Sequence, residues 1–289
     1  MQPKVKAFFH EPTSTYSYVV CDAFSKAAAI IDPVLDFDPR AARTSTHSAD
    51  QMLHFVAGAN LEVHWILETH AHADHLSAAD YLKRGLGAFV GIGEGIRRVQ
   101  ATFQEVFNLG DDFAVDGSQF DRLFFEDERF ALGELEVRVM NTPGHTNDSV
   151  SYVIGDAVFV GDTLFGADYG TARADFPGGD ARKLFRSIQR IYGLPDATRL
   201  YLCHDYSPND RKPNPLSTVA EQKAANVHVH AGVTEDEFVA MRERRDASLA
   251  MPNLIIPSIQ VNIRAGALPL PESNGVSYLK APLNLLGAT

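Results

Sequence analysis

The fold of this chain is decided by the run His70-Ala71-His72-Ala73-Asp74-His75. The run directly follows an apolar stretch, residues 61–67, that is typical of a buried strand. Three histidines and an aspartate within six residues are rare by chance, and after a buried strand they would be costly without a metal to hold them. His70 and His72 can face one metal, whereas Asp74 and His75 begin the next turn. The run therefore predicts a metal site at the end of this strand.

Three further candidate ligands occupy the same kind of position. His145, Asp162 and His204 each come just after an apolar stretch that reads as a strand. Strand ends on one edge of a sheet converge in space, and loops held by a rigid scaffold are where ligands are best positioned. Imidazole nitrogens and carboxylate oxygens suit zinc, iron or manganese. We therefore expect the four segments to form one metal centre.

Strand and helix patterns recur along the whole chain. Strands are predicted at residues 17–20, 28–31, 61–67, 135–140, 149–154, 157–160 and 199–203, and helices at 49–58, 76–86 and 181–192. Residues 34–48 are predicted to be a polar excursion, with Ser48 capping the first helix. This mixture of elements indicates an α/β layered domain.

The last 85 residues, 205–289, differ in character from the body of the chain. Two helices are predicted there, and the clearer one begins at Thr234, where Glu237 is placed to complete a capping box. Proline then recurs at 252, 257, 269, 271 and 282, which predicts a tail that wraps over the body in extended form.

Composition restricts the class of partner. Among 289 residues the net charge is −11 and no stretch is strongly basic, which argues against nucleic acid or an anionic membrane. Two cysteines, Cys21 and Cys203, are too few for a disulfide framework. Neither a signal segment nor an apolar run of about 20 residues is found. We expect a soluble, cytoplasmic protein.

Four segments together resemble the successive motifs of the metallo-β-lactamase superfamily: residues 69–75 (THAHADH), 143–146 (PGHT), 161–163 (GDT) and 203–206 (CHDY). The resemblance implies an αββα four-layer sandwich with the metal site at one edge of its two sheets. It implies a single domain over residues 1–289, with residues 207–289 as a C-terminal extension packed on it. Because true metallo-β-lactamases typically carry a cysteine where Asp162 stands, the resemblance argues against an antibiotic hydrolase.

Within the superfamily, the chain most resembles the persulfide dioxygenases of bacterial single-domain type. The motifs that carry this likeness are residues 171–176 (TARADF), 178–181 (GGDA), 204–206 (HDY) and 261–266 (VNIRAG), and the tail 274–280 (NGVSYLK) is also similar. Many eukaryotic relatives have a cysteine where Thr171 stands, so any role of that cysteine is absent here.

The resemblance implies one Fe(II) per chain, held by His70, His145 and Asp162. A face of two histidines and one carboxylate leaves open positions for a sulfur substrate and for O2. Four further residues would then act in catalysis by hydrogen-bonding to the ligands or to water and fixing their orientation: His72, Asp74, His75 and His204. The same residues could hold a second metal, as they do in hydrolytic relatives.

The implied reaction converts glutathione persulfide, O2 and water to sulfite and glutathione. By resemblance, the candidates for binding the glutathione part are Arg173, Tyr206, Asn262 and Arg264. A structural role competes with each assignment, because Arg173 can pair with Asp175 or Asp180 and Tyr206 can simply cap the pocket. Relatives are commonly dimers, which makes a homodimer the candidate assembly.

Three other functions remain as alternatives. The main one is a binuclear zinc thioesterase of glyoxalase II type, in which a bridging hydroxide attacks the thioester carbonyl. Those enzymes attach a mostly helical substrate-binding domain, whereas this tail is interrupted by prolines. A broader metallo-hydrolase such as a lactonase is the next alternative, and a metal-binding regulator without turnover is the last.

Overall fold

The computed structural model describes residues 2–208 and 211–286. Its strands are β1 (Lys4–His10), β2 (Thr15–Cys21), β3 (Ala27–Ile31), β4 (Val34–Asp38), β5 (Arg43–Ser45), β6 (Glu62–Leu67), β7 (Leu76–Ser77), β8 (Phe89–Gly93), β9 (Arg122–Phe124), β10 (Arg129–Leu132), β11 (Leu135–Asn141), β12 (Val150–Ile154), β13 (Ala157–Phe159), β14 (Arg199–Tyr201) and β15 (Leu216–Thr218). Its α-helices are α1 (His47–Gly58), α2 (Ala79–Leu86), α3 (Ile96–Phe107), α4 (Ala181–Tyr192), α5 (Val219–Ala225), α6 (Glu235–Asp246) and α7 (Ile255–Asn262).

Most strands belong to two six-stranded sheets. The first has the order β1-β2-β3-β6-β8-β9, and its last four strands run parallel. The second has the order β10-β11-β12-β13-β14-β15 and is antiparallel except between β13 and β14. The short strands β5, β4 and β7 form a third, smaller sheet.

Successive side chains of a strand point to opposite faces of its sheet, and each face packs into a hydrophobic core. In β3, Ile30 packs among the residues of α1, α2, α3 and α7, whereas Ile31 packs between the two large sheets. This follows from the two-residue period of a strand. On the far side, Val158 of β13 packs with Leu184 of α4 and Phe238 of α6. The order helix, sheet, sheet, helix confirms the predicted αββα sandwich.

The structure corrects several predicted elements. The supposed polar excursion contains β4 and β5, and β5 is an edge strand, where polar residues are tolerated. Helix α1 begins at His47, and the Ser48 hydroxyl donates to Asp36 Oδ1 at 2.8 Å instead of capping the helix. The capping box at Thr234 is confirmed, since its side chain accepts from Glu237 N and the Glu237 carboxylate accepts from Thr234 N.

The C-terminal part contains three helices where two were predicted. Pro257 lies in the first turn of α7, where a proline costs no intrahelical hydrogen bond. Ile255 and Ile259 of this helix belong to the same core as α1 and α3. Regular structure is absent from 267–286, as expected for an extended tail. The division into one domain with a C-terminal extension remains a prediction. Within the described ranges, no helix has the length and apolar character needed to span a membrane.

Thr234→Ala should lower the free energy of unfolding by about 1 kcal/mol, because the first turn of α6 loses the acceptor for an otherwise unpaired backbone N–H. Urea denaturation of the variant and the parent measures the difference. Thr234→Ser is the control, since it keeps the hydroxyl and should stay near the parent. Equal midpoints for the alanine and serine variants would contradict the capping role.

Candidate metal centre

The loops after β6, β11, β13 and β14 meet at one edge of the sandwich, as predicted. They carry the run 70–75, His145, Asp162 and His204, and all of these side chains are buried except Asp74, which is partly exposed. Thr15, at the start of β2, closes the edge through a backbone bridge to His204. The sandwich therefore converts four separate strand ends into one polar cluster.

Asp162 is the centre of this cluster. Its Oδ2 lies 3.8 Å from His70 Nε2 and 3.6 Å from His145 Nε2, and its Oδ1 lies 3.3 Å from His204 Nε2. The ring centroids of His70 and His145 are 5.2 Å apart. The three predicted iron ligands are thus brought together around a single carboxylate.

Two glycines allow this approach. Gly161 has a φ of +52°, and a Cβ there would lie 2.6 Å from Thr69 Oγ1. Gly144 has a φ of +140°, and its Cβ would lie 2.2 Å from Leu184 N at the start of α4. Both positions demand a residue without a side chain, because the backbone is left-handed and the neighbour is close. Asp162 and His145 follow directly after them and owe their placement to these turns.

Hydrogen bonds determine which nitrogen of His70 and of His145 faces Asp162. The Thr69 hydroxyl donates to Asp32 Oδ2 at 2.9 Å, so its oxygen accepts from His70 Nδ1 at 3.1 Å. His145 Nδ1 donates to the carbonyl oxygen of Arg173 at 2.8 Å. Because each Nδ1 carries the proton, each Nε2 presents its lone pair to the cluster.

The residues present fit a metal ion. His70 Nε2, His75 Nε2, His204 Nε2 and Asp162 Oδ1 are buried and form no hydrogen bond in the described structure. Leaving such atoms unpaired costs about 1–3 kcal/mol each. A bound cation removes that cost for each of the lone pairs that it accepts. His70, His72 and Asp162 each offer a ligand atom within 4.8 Å of the others.

A second group of potential ligands adjoins the first. His204 Nε2 lies 3.1 Å from Asp74 Oδ2, and His72, His75, Cys203 and His204 offer ligand atoms within 4.8 Å of one another. His75 Nδ1 donates to Leu76 O at 3.3 Å, which leaves its Nε2 free. The cluster therefore has the donors for one metal or for two.

Three buried carboxylates contact the residues that carry the cluster. Asp32 accepts from Thr69 N at 2.7 Å and from the Thr69 hydroxyl, and its Oδ1 lies 3.1 Å from His72 Nε2. Glu68 Oε2 is 3.9 Å from the same nitrogen. Asp148 Oδ2 accepts from Ala71 N at 2.8 Å. The sequence analysis assigned no role to these three, although Asp32 follows a buried strand just as Asp162 does.

Burial and neighbouring charges shift the pKa of several site residues. Burial lowers the pKa of His70 well below its ordinary value and lowers that of His75 to about 4. Burial also lowers the pKa of His204, but Asp74 and Asp162 raise it by more, so the net shift is upward. Near neutral pH, His70 and His75 are therefore uncharged, as metal ligands must be.

A cavity of about 350 Å³ opens directly onto the cluster. Asp74, His145 and Asp162 lie at its polar end. The aromatic rings in its wall belong to Phe165, Tyr169, Phe176 and Tyr206. A polar end with an apolar wall is typical of a small-molecule site.

Two of the four predicted substrate-binding residues line this cavity. Tyr206 does so, with its ring stacked 5.6 Å from that of His204. Arg173 also does so, but its guanidinium forms two hydrogen bonds to Asp175, at 2.6 and 2.7 Å, and one to Ala250 O. The cation of Arg173 is therefore already neutralised by Asp175.

Asn262 and Arg264 do not line the cavity. The Asn262 amide is 4% exposed and is bonded to the backbone of residues 72–77. The Arg264 guanidinium lies 4.6 Å from the Phe113 ring centroid and adjoins a different cavity. The structure therefore gives no support to substrate contact by these two residues.

Arg245 is a cavity residue that the sequence analysis missed. It lines the cavity from α6, and within the described ranges its guanidinium forms no ion pair or hydrogen bond. Its neighbour Arg242 is 1% exposed and paired with Asp246. No local pattern in the sequence distinguishes Arg245 from Arg244, because only the packing of α6 decides which one faces the cavity.

Comparison with known proteins places the chain in a family. The model of the metallo-β-lactamase superfamily matches residues 10–204. A probable metallo-hydrolase of Burkholderia pseudomallei is 55% identical over 98% of this chain and 99% of its own length. A protein named glyoxylase B2 of Dictyostelium discoideum is 50% identical over 98% of each chain.

More distant matches bear another name. The mitochondrial persulfide dioxygenase ETHE1 of Mus musculus is 26% identical over 93% of this chain and 91% of its own. The crystal structure of ETHE1 from Myxococcus xanthus has a TM-score of 0.74 and 31% identity, covering 91% of this chain and all of that one. The more similar relatives thus carry hydrolase or glyoxylase names, and the persulfide dioxygenase name belongs to more distant ones.

His70→Ala should abolish tight metal binding, because it removes one of the two imidazole nitrogens that would bind the metal beside Asp162. The bound metal is measured by elemental analysis of the purified protein. His64→Ala is a matched control, since His64 is an exposed residue on β6 and should leave the metal content unchanged. A His70→Ala protein with the metal content of the parent would contradict the ligand assignment.

Proposed function

This chain belongs to the metallo-β-lactamase superfamily, and on that premise we propose that it is a persulfide dioxygenase that uses one Fe(II) held by His70, His145 and Asp162. The reaction consumes glutathione persulfide, O2 and water and yields glutathione, sulfite and two protons. The persulfide's outer sulfur is oxidised, O2 is reduced, and the sulfur–sulfur bond breaks. The third sulfite oxygen comes from water.

One observation carries the proposal: two Nε2 lone pairs and one carboxylate oxygen converge at the polar end of a cavity. Two histidines and one carboxylate on one side are the ligand set of non-heme iron oxygenases. When bound there, Fe(II) supplies open coordination positions for the persulfide sulfur and for O2. The ETHE1 similarity, which extends over 91% of this chain, supports the same reading.

The chain's own side chains perform the remaining tasks. Thr69 and the carbonyl of Arg173 hold the rings of His70 and His145 in the orientation described above. His204, between Asp74 and Asp162, keeps both carboxylates in place. The aromatic wall of the cavity provides an apolar surface for the substrate next to the metal centre.

Arg245 is proposed to receive a carboxylate of the glutathione part. Glutathione carries two carboxylates, and the other two arginines of the cavity are already paired with Asp175 and Asp246. An arginine without a partner gains most from a carboxylate ligand, because two parallel hydrogen bonds can form. In this proposal Arg245 takes the role that the sequence analysis gave to Arg173 and Arg264.

A binuclear zinc thioesterase of glyoxalase II type remains the second candidate. The group of Asp74, His75 and His204 favours it, because these residues could hold a second metal beside Asp162. The C-terminal part contains α5, α6 and α7 before its extended last segment, so the helix content of this part argues less strongly against a thioesterase. The names of the more similar relatives also agree with a hydrolase.

Anaerobic purification followed by metal analysis and O2 uptake separates the two candidates. We expect close to one iron per chain and O2 consumption with glutathione persulfide, with sulfite as the product. Glutathione without the extra sulfur is the control and should cause no uptake. Two zinc ions per chain, together with thioester hydrolysis and no O2 uptake, would overturn the proposal in favour of the thioesterase.

Arg245→Ala should raise KM for glutathione persulfide about tenfold with little change in kcat, because about 1.4 kcal/mol of uniform binding is lost. Steady-state O2 uptake measures both constants. Arg244→Ala is the matched control on the same helix, exposed but outside the cavity lining. Equal KM values for the two variants would rule out the assigned role of Arg245.

A further inference from the structure

The segment 261–266 (VNIRAG) has a feature that substrate binding does not explain. Asn262 is the last residue of α7, and its side chain is buried at the junction with β7 and the run 70–75. Its Nδ2 donates to His72 O and to His75 O, both at 2.8 Å, and its Oδ1 accepts from Ser77 N at 2.8 Å. One amide thus satisfies three backbone groups of the ligand-bearing loop.

These three bonds span the ligand run. The carbonyls of His72 and His75 lie on the two sides of Asp74, and Ser77 N belongs to the strand that follows. A loop of this kind has no ladder or helix of its own to bond its carbonyls, so a side chain must supply the donors. Since both carbonyls bond to one nitrogen, their separation is restricted to what that nitrogen can reach.

Ser77 connects this hydrogen-bond network to a buried carboxylate. The Ser77 hydroxyl donates to Glu68 Oε1, and Glu68 Oε2 faces His72 Nε2 at 3.9 Å. Gly266 follows Asn262 closely, and a Cβ there would lie 2.8 Å from Ser77 O and 3.0 Å from Ala79 N. The end of α7 therefore lies directly against the backbone of residues 77–79, with no space for displacement toward it.

We propose that Asn262 is a positioning residue of the metal centre: it holds the backbone of residues 72–77, directly after the ligand His70, so that His72, Asp74 and His75 stay beside the metal. The inference rests on the metal centre of the proposed function but not on its reaction or on the identity of its metal. Partners that orient metal ligands typically contribute a factor of about 10–100 to metal affinity.

Gln260 offers a matched control on the same helix. It is 1% exposed, and its amide also forms three hydrogen bonds to backbone groups: to Ile256 O at 2.8 Å, to Lys280 O at 2.9 Å and from Lys280 N at 2.9 Å. Two of these bonds hold Lys280 of the C-terminal tail, the third lies within α7, and none of them reaches the ligand run. Removing either amide therefore costs a similar number of buried hydrogen bonds, but only one removal affects the loop.

The test compares Asn262→Ala with Gln260→Ala in the full chain, using Co(II) as the probe after metal removal by a chelator. Both variants should lose apo-protein thermal stability to a similar extent. Only Asn262→Ala should bind Co(II) about 10–100-fold more weakly and show an altered d–d absorption spectrum. Neither readout uses persulfide or O2, so a failure of the proposed reaction would leave this result unchanged.

The proposal is overturned if Asn262→Ala binds Co(II) with the affinity and spectrum of the parent, or if Gln260→Ala weakens binding equally. If Asn262→Ala does not fold, Asn262→Asp takes its place. The aspartate retains an acceptor for Ser77 N but loses the amide donors to His72 O and His75 O. Parent-like Co(II) affinity in a folded Asn262→Asp protein would likewise contradict the positioning role.

Discussion

The burial of unpaired imidazole nitrogens beside a carboxylate is the constraint on which the rest of the structure depends. His70, His75 and His204 present Nε2 atoms that form no hydrogen bond in the described structure, and Asp162 Oδ1 is in the same state. A cation that binds these atoms removes the cost of burying them unpaired and so stabilises the cluster. The surrounding structure therefore holds these nitrogen and oxygen atoms in place for the metal.

Separate parts of the chain supply that support. Asp32 at the end of β3 acts through Thr69 on His70, and the carbonyl of Arg173 acts on His145. Asp148 holds the backbone at Ala71, while Asn262 holds it from the opposite end of the ligand run. His70 and His145 are thus oriented by partners distant in sequence, and such support holds the geometry of a site within about 0.5 Å.

The C-terminal part packs against the site in two places. Helix α6 forms one side of the cavity and brings Arg245 to it, whereas α7 supports the ligand run and belongs to the core of the first sheet. The same segment therefore contacts both the cavity and the loop that carries the metal-site residues. The likeness to the ETHE1 structure covers 91% of this chain, more than the 195-residue span that the family model matches.

The family resemblance supplied the αββα sandwich, whereas local patterns in the sequence predicted an α/β layered domain, the strand-end ligands and the capping box at Thr234. These features depend on side-chain periodicity and on spacings of a few residues, which are visible in one dimension. Sequence resemblance also brought His70, His145 and Asp162 into one proposed set, and the structure places them together.

Only the tertiary structure decided what the arginines and Asn262 do. Arg173 is neutralised by Asp175, Arg264 lies against Phe113, and Arg245 alone among the cavity arginines of the described chain has no ionic partner. Asn262 contacts residues that precede it by 185 to 190 positions. Such contacts depend on how the helices and sheets pack against one another. Packing brings together residues that are far apart in the chain, and no local sequence pattern predicts which of them will meet.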